Sequence, residues 1–183
     1  MNEEEAVKWY LKSAEQGHDE ALDSLFYHYL DENDVDDYWG KEAFEWWHEK
    51  AKQGYAKAQY ELGKRYEDGF GVDNNIGEVV KWYRKAVEQG HAAAQHTLGC
   101  CYYDGSGIDK NKEEAVKLFR KAAKQGYADA SCLIGCCYYY GVGVEWNRDE
   151  ADKWFRKAEK QGMDWDSIRI RRNNMEPDSY DED

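Results

Sequence analysis

Four side chains in this sequence have the types and the spacing to do chemistry together: His96 with Cys100, and Cys132 with Cys136, each pair four residues apart. Residues four apart share one face of a helix, so each pair can present two ligands in one direction. Three thiolates and an imidazole form a ligand set for tetrahedral zinc. Against a common centre stands the spacing of packed helices, roughly 8 to 10 Å, beside metal bonds of about 2.3 Å. The other reading makes these cysteines small buried hydrophobes, the usual role of an intracellular helical thiol. That second reading is the expectation, with no metal and no cofactor.

The remaining chemistry is thin. Cys101 and Cys137 stand beside Cys100 and Cys136, and five cysteines with two vicinal pairs do not make an even, spaced disulfide framework. Reduced thiols in a cytoplasm fit best. No S-x-x-K, G-x-S-x-G or H-E-x-x-H occurs, and the histidines at 18, 28, 48, 91 and 96 are scattered, so the chain is not expected to be an enzyme. Twenty-five Lys and Arg against 38 Asp and Glu give a net charge of −13, which argues against a nucleic-acid partner. No apolar run reaches the ~20 residues that span a bilayer, and the start "MNEEEAVKWY" lacks the features of a signal peptide, so no membrane association is expected either.

The two candidate pairs lie 36 residues apart, so the elements that position them must be copies of one module. "LGCCYYDGSGIDKN" from Leu98 returns as "IGCCYYYGVGVEWN" from Ile134, and marker glycines stand at 17, 54, 90, 126 and 162. Before each marker, residues such as Val79, Trp82, Tyr83 and Ala86 recur at helical spacing, as do Ala6, Trp9 and Tyr10 in the first copy. This stripe defines a helix B. After the markers, Ala58, Leu62 and Tyr66, then Ala94, Leu98 and Tyr102, then Ala130, Ile134 and Tyr138 define a helix A. Gly63, Gly99 and Gly135 within helix A are read as places of close helix approach, at a propensity cost of ~1 kcal/mol each.

The connectors "DGFGVDNN", "DGSGIDKN" and "YGVGVEWN" supply a first glycine to end helix A and a second to open the turn. Each closes on Asn75, Asn111 or Asn147, with Glu78, Glu114 or Glu150 three residues later, the pattern of a cap in which Asn takes the first amides and Glu reaches back. Asn2 with Glu5 gives the same signal at the start. The expected organisation is one solenoid over residues 1–173: helix B at 2–16, repeats at 18–53, 55–89, 91–125 and 127–161, and a capping helix at about 164–173. The linker "DENDVDDYWGKE" lacks the glycine pair, so the first repeat should turn differently. Residues 174–183 are read as an acidic flexible tail.

The pattern A-x-x-x-L-G-x-x-Y-x-x-G-x-G-V followed by A-x-x-W-Y-x-x-A-A-x-x-G resembles the Sel-1-like repeat family, relatives of tetratricopeptide repeats. The resemblance implies an all-α, right-handed solenoid of antiparallel helix pairs, with A helices lining a concave groove. It also implies protein binding, as a non-enzymatic adaptor or scaffold. Two further family roles are alternatives: a bacterial immunity-type inhibitor of a basic toxin, and a penicillin-binding or hydrolysing repeat protein, for which the nucleophile signature is missing here.

Partly from that resemblance, the groove is assigned to offsets three, six, ten, thirteen and fourteen after each marker. The partner-binding candidates are Lys57, Tyr60, Lys64, Glu67 and Asp68; His96, Tyr103 and Asp104; and Asp129, Tyr139 and Tyr140. Tyrosine anchors and carboxylates suit a basic or aromatic protein segment. A second copy of the chain could also dock at the half-repeat at the start.

Overall fold

The computed structural model describes residues 9, 12, 45, 47–69 and 74–175. The chain divides into two compact units, Met1–Asn75 and Ile76–Asp183. In the first, helical residues 47–52 lead through Gly54 into α1 (Ala56–Asp68). In the second, α2 (Ile76–Glu88), α3 (Ala92–Asp104), α4 (Lys112–Lys124), α5 (Ala128–Tyr140), α6 (Arg148–Lys160) and α7 (Trp165–Asn174) follow one another. Among the described residues there is no strand.

Helices α1, α3 and α5 are the expected A helices, and α2, α4 and α6 the B helices. The capping helix lies one residue later than expected, so Asn174 belongs to it rather than to the tail. The helix expected at 2–16 (apart from residues 9 and 12), the linker "DENDVDDYWGKE", connector residues 70–73 and the tail from 176 lie outside the described residues. In the B stripe, Trp82 and Leu118 are buried, Trp154 is half-buried, and Trp9, 65% exposed, is not part of a core.

Each repeat of the second unit is locked by three devices. The first is the connector. Gly105 and Gly141 adopt left-handed φ of 80° and 71° and donate N–H to the carbonyls of Cys101 and Cys137, ending α3 and α5. The second glycine is set by proximity as well as by its turn: a Cβ on Gly143 would stand 2.4 Å from the Lys112 carbonyl oxygen. One connector therefore rests directly on the first residue of the preceding helix B.

The second device is the cap, and here the sequence expectation holds by half. Asn111 and Asn147 accept from the amides of Glu114 and Glu150 at 2.9 and 3.0 Å. The glutamates do not reach back. The asparagine amides donate instead to the carbonyls of Tyr102 and Tyr138, at 2.8 and 3.0 Å, because the last carbonyls of helix A have no intrahelical donor. Glu114 and Glu150 then pair with Lys117 and Lys153 at 2.9 and 2.5 Å.

The third device is packing. Phe119 and Phe155, 1% and 3% exposed, press onto Gly99 and Gly135, where an added Cβ would lie 2.6 and 2.5 Å from ring carbons. A glutamine one residue before the marker glycine then joins neighbouring repeats. Gln125 Nε2 donates to the Gly90 carbonyl at 2.8 Å and to Gln95 Oε1 at 3.0 Å. Gln161 Nε2 donates to the Ala123 carbonyl at 3.2 Å, and its Oε1 accepts from Ser131 Oγ at 2.6 Å.

Candidate interaction surface

The A-helix candidates divide into positions that reach solvent and positions that neighbouring helices cover. On α1, Lys57 and Tyr60 are half-buried, Glu67 and Asp68 exposed, and Lys64 lies over the Tyr60 ring at 5.9 Å while pairing with Glu61 at 3.6 Å. On α3, Tyr103 is half-buried and Asp104 exposed. Lys112 lies 5.8 Å from the Tyr103 ring, and burial pushes the phenol up to about 12, so it stays a neutral donor.

On α5, offsets six and ten lie in the core and not in a groove. Cys132 and Cys136 are fully buried, in one cluster with Phe155 and with Ile168 of α7. The His96 ring sits 4.9 Å from Tyr127 and 6.1 Å from Phe119. Cys132 and Cys136 face the helix that follows, because in a stack of helix pairs the flank of an A helix is the next one's packing surface.

His96 Nε2 lies 3.9 Å from Cys100 Sγ, and Cys132 and Cys136 are buried in one cluster, so each sequence pair meets on its own helix. The pairs do not converge: among the described residues no three His, Cys, Asp or Glu side chains are grouped to hold a metal ion. All five cysteines are free. Burial pushes the Cys100 and Cys137 thiols up to about 12. The hydrogen bond with Cys132, then burial, pushes Cys136 up as well. Protonated thiols are poor nucleophiles and poor ligands.

Burial, the largest influence, lowers the His96 pKa below its usual value; Asp129 opposes this and Arg171 adds to it. A histidine held neutral in the fold takes up its proton more readily when unfolded, so its contribution to stability is present above about pH 6.5 and is lost as pH falls below that. Thermal melts at pH 7.5 and 5.5 should show the wild-type chain losing more stability on acidification than His96→Gln. Equal losses would refute the assignment.

The candidates on α5 are already engaged, by the chain itself. Arg171 of α7 binds the Asp129 carboxylate. Arg148 and Arg172 lie over the Tyr139 ring at 4.7 and 5.2 Å, and Tyr140 Oη donates to the Arg172 carbonyl at 3.1 Å. Beside the Asp129–Arg171 pair opens a cleft of about 470 Å³ that includes Gln161, Met163, Ser167 and Ile170 in its lining.

Sequence reasoning read "IRIRR" only as a cap and missed these arginines. It also missed Arg84 and Arg120, six residues before their markers, which donate to the Tyr102 and Tyr138 hydroxyls at 3.4 and 2.5 Å. The signal was available, since the arginine recurs at 84, 120 and 156 and the glutamine at 16, 53, 89, 125 and 161.

The Sel1 repeat family profile matches residues 2–18, 56–91, 92–127 and 128–163. Among solved structures, the chain is similar to a Sel1 repeat protein from Oxalobacter formigenes, with 31% identity and a TM-score of 0.69 over 85% of this chain and 62% of that one. It is similar to a protective antigen of uropathogenic Escherichia coli displaying an SLR fold, with 36% identity and a TM-score of 0.73 over 86% and 33%. Helicobacter pylori cysteine rich protein B is 30% identical, with a TM-score of 0.51 over 67% and 92%. The chain thus spans less than two thirds of the length of the first two proteins. No curated protein matches it.

Proposed function

This chain belongs to the Sel1 repeat family, whose members are in general protein-interaction scaffolds of non-catalytic type, and from that premise we propose that it is an adaptor acting in the cytoplasm. It holds a basic or aromatic segment of another protein along the exposed ends of its A helices, around Tyr103 and Asp104. The supporting observation is the intramolecular precedent: Arg171 and Arg172 of α7 engage Asp129, Tyr139 and Tyr140. One repeat earlier, Tyr103 and Asp104 stand at the positions of Tyr139 and Tyr140, a tyrosine beside a carboxylate, with Asp104 exposed. Aromatic rings with adjacent carboxylates attract guanidinium and ammonium groups through both charge and ring quadrupole.

A second reading, inhibition of a basic toxin, draws on the net charge of −13, which would steer a cationic partner to the chain. Affinity capture from native lysate with wild type and with Tyr103→Ala/Asp104→Lys tests both. Loss of a stoichiometric partner with the variant is the expected result, and the partner's identity separates adaptor from inhibitor. The two changes remove an aromatic anchor and a charge, for a loss of roughly 2 kcal/mol or about thirtyfold in affinity. Equal capture by both proteins would sink the assignment.

A further inference from the structure

The B helices carry lysines in rows, and only one row is neutralised. Lys81, Lys117 and Lys153 each pair with the glutamate one turn earlier, at 2.9, 2.9 and 2.5 Å. One turn later stand Lys85, Lys121 and Lys157, followed by Lys124 and Lys160 near the helix ends. None of these five makes an ion pair among the described residues. Lys85 and Lys157 rest over the Trp82 and Trp154 rings, at 4.3 and 4.6 Å, which fixes their stems while leaving their charge without a counter-ion.

The fold brings together the helix ends that carry these cations. Gln125 reaches from the end of α4 to the Gly90 carbonyl beyond α2, and Gln161 from the end of α6 to the Ala123 carbonyl in α4. The C-terminal ends of the three B helices are therefore one glutamine side chain apart. The same last two turns hold two acids, Glu88 and Glu159, and Glu159 accepts from Trp165 Nε1 at 2.7 Å. Residues 76–175 contain 17 Lys and Arg against 14 Asp and Glu, a net of +3 inside a chain of −13.

A helix dipole favours a cation in each last turn by about 0.3–1 kcal/mol. It does not account for a second cation in α4 and α6, nor for an acid-paired row on the same helices one turn earlier. We propose that the C-terminal ends of α2, α4 and α6 form a second docking surface, for an acidic segment of a partner protein. Bringing like charges together raises the energy of the folded chain, and an anionic segment laid across them relieves that repulsion. Lysine suits carboxylates approaching from several directions, whereas paired recognition of phosphate is the province of arginine. The whole chain carries −13, which opposes a long polyanion more than a short acidic peptide. The surface is separate from the A-helix ends, so it stands whether or not those bind a basic segment.

Fluorescence anisotropy of the full chain with a labelled octaglutamate peptide tests this. Saturable one-to-one binding that weakens with added salt is expected. Lys121→Glu/Lys157→Glu should weaken it by at least about tenfold, while Lys117→Glu/Lys153→Glu, which changes net charge equally, should alter it less than about threefold. Circular dichroism confirms that both variants are folded. Absence of binding refutes the surface; equal losses in the two variants would assign the effect to net charge. An eight-nucleotide single strand binding as tightly as the peptide would overturn the acidic-protein assignment.

Discussion

Gly143→Ala should lower the melting temperature by roughly 10 to 20 °C, while Gly162→Ala lowers it by only a few degrees. Both glycines have positive φ, 67° and 101°, so both substitutions bear the left-handed penalty of about 1 kcal/mol. The difference lies in what the new methyl meets. At Gly162 nothing stands within 4 Å; at Gly143 the Cβ would lie 2.4 Å from the Lys112 carbonyl oxygen and 2.6 Å from its carbon. Those are backbone atoms at the capped start of α4, where Asn111 already fixes the chain. Relief requires moving a connector or a helix, an overpacking cost of roughly 1–3 kcal/mol beyond the penalty. At ~4–8 °C per kcal/mol for a unit of this size, thermal melts followed by far-ultraviolet circular dichroism resolve the two readily. Equal shifts at the two positions would mean that the connectors do not bear on the preceding repeat.

Phe155→Ala should cost about 3–5 kcal/mol, the range for truncating a buried phenylalanine, and its coupling to Gly135 should be large. Gly135→Ala alone gains about 1 kcal/mol of helix propensity and loses more, because its Cβ would stand 2.5 Å from a ring carbon of Phe155. That ring is 3% exposed and packed against Cys136 and Ala158, so it has nowhere to swing. With Phe155 already truncated, Gly135→Ala meets no ring and should become neutral or stabilising. Denaturant titration of the four proteins of this cycle should give an interaction energy above about 1 kcal/mol. Additive effects would show that the glycine serves something other than the approach of the aromatic ring.

Both predictions concern positions whose importance was visible before any coordinates. The glycines at 99 and 135 were read as close approaches, and Phe119 and Phe155 now supply the approaching groups. The markers 36 residues apart placed every helix of the second unit, because one helix pair cannot bury both its stripes and the period is the repeat of that burial. The interaction surface was less legible. Offsets along a helix say which residues share a face, but not which neighbour covers it, and Cys132 and Cys136 went to the core because Ile168 of a sequence-atypical helix lies on them.

The same limit holds for the two pairs of candidate ligands, since spacing of four brings side chains together within a helix and says nothing of the distance between helices. Charge was read only as an average. The −13 of the whole chain conceals +3 over residues 76–175, and a tally by segment would have shown it. Arg171 of α7 was overlooked because its partner Asp129 lies 42 residues away, beyond the reach of any local pattern.

The glutamine bridges carry a consequence for how the chain is made. They span 35 and 38 residues, and the Asp129–Arg171 contact of the last helix spans 42. Each module of the second unit is therefore complete once little more than one further module has been synthesised. Topologies built from such short loops close quickly, and domains form as units from the N-terminal side during translation at about 5–20 residues per second. A module on the ribosome waits only a few seconds for the segment that seals it. Apolar stripes of α3 and α5 are thus exposed for one module's worth of elongation and no longer, and a stalled ribosome should release fragments that are folded up to their last complete bridge.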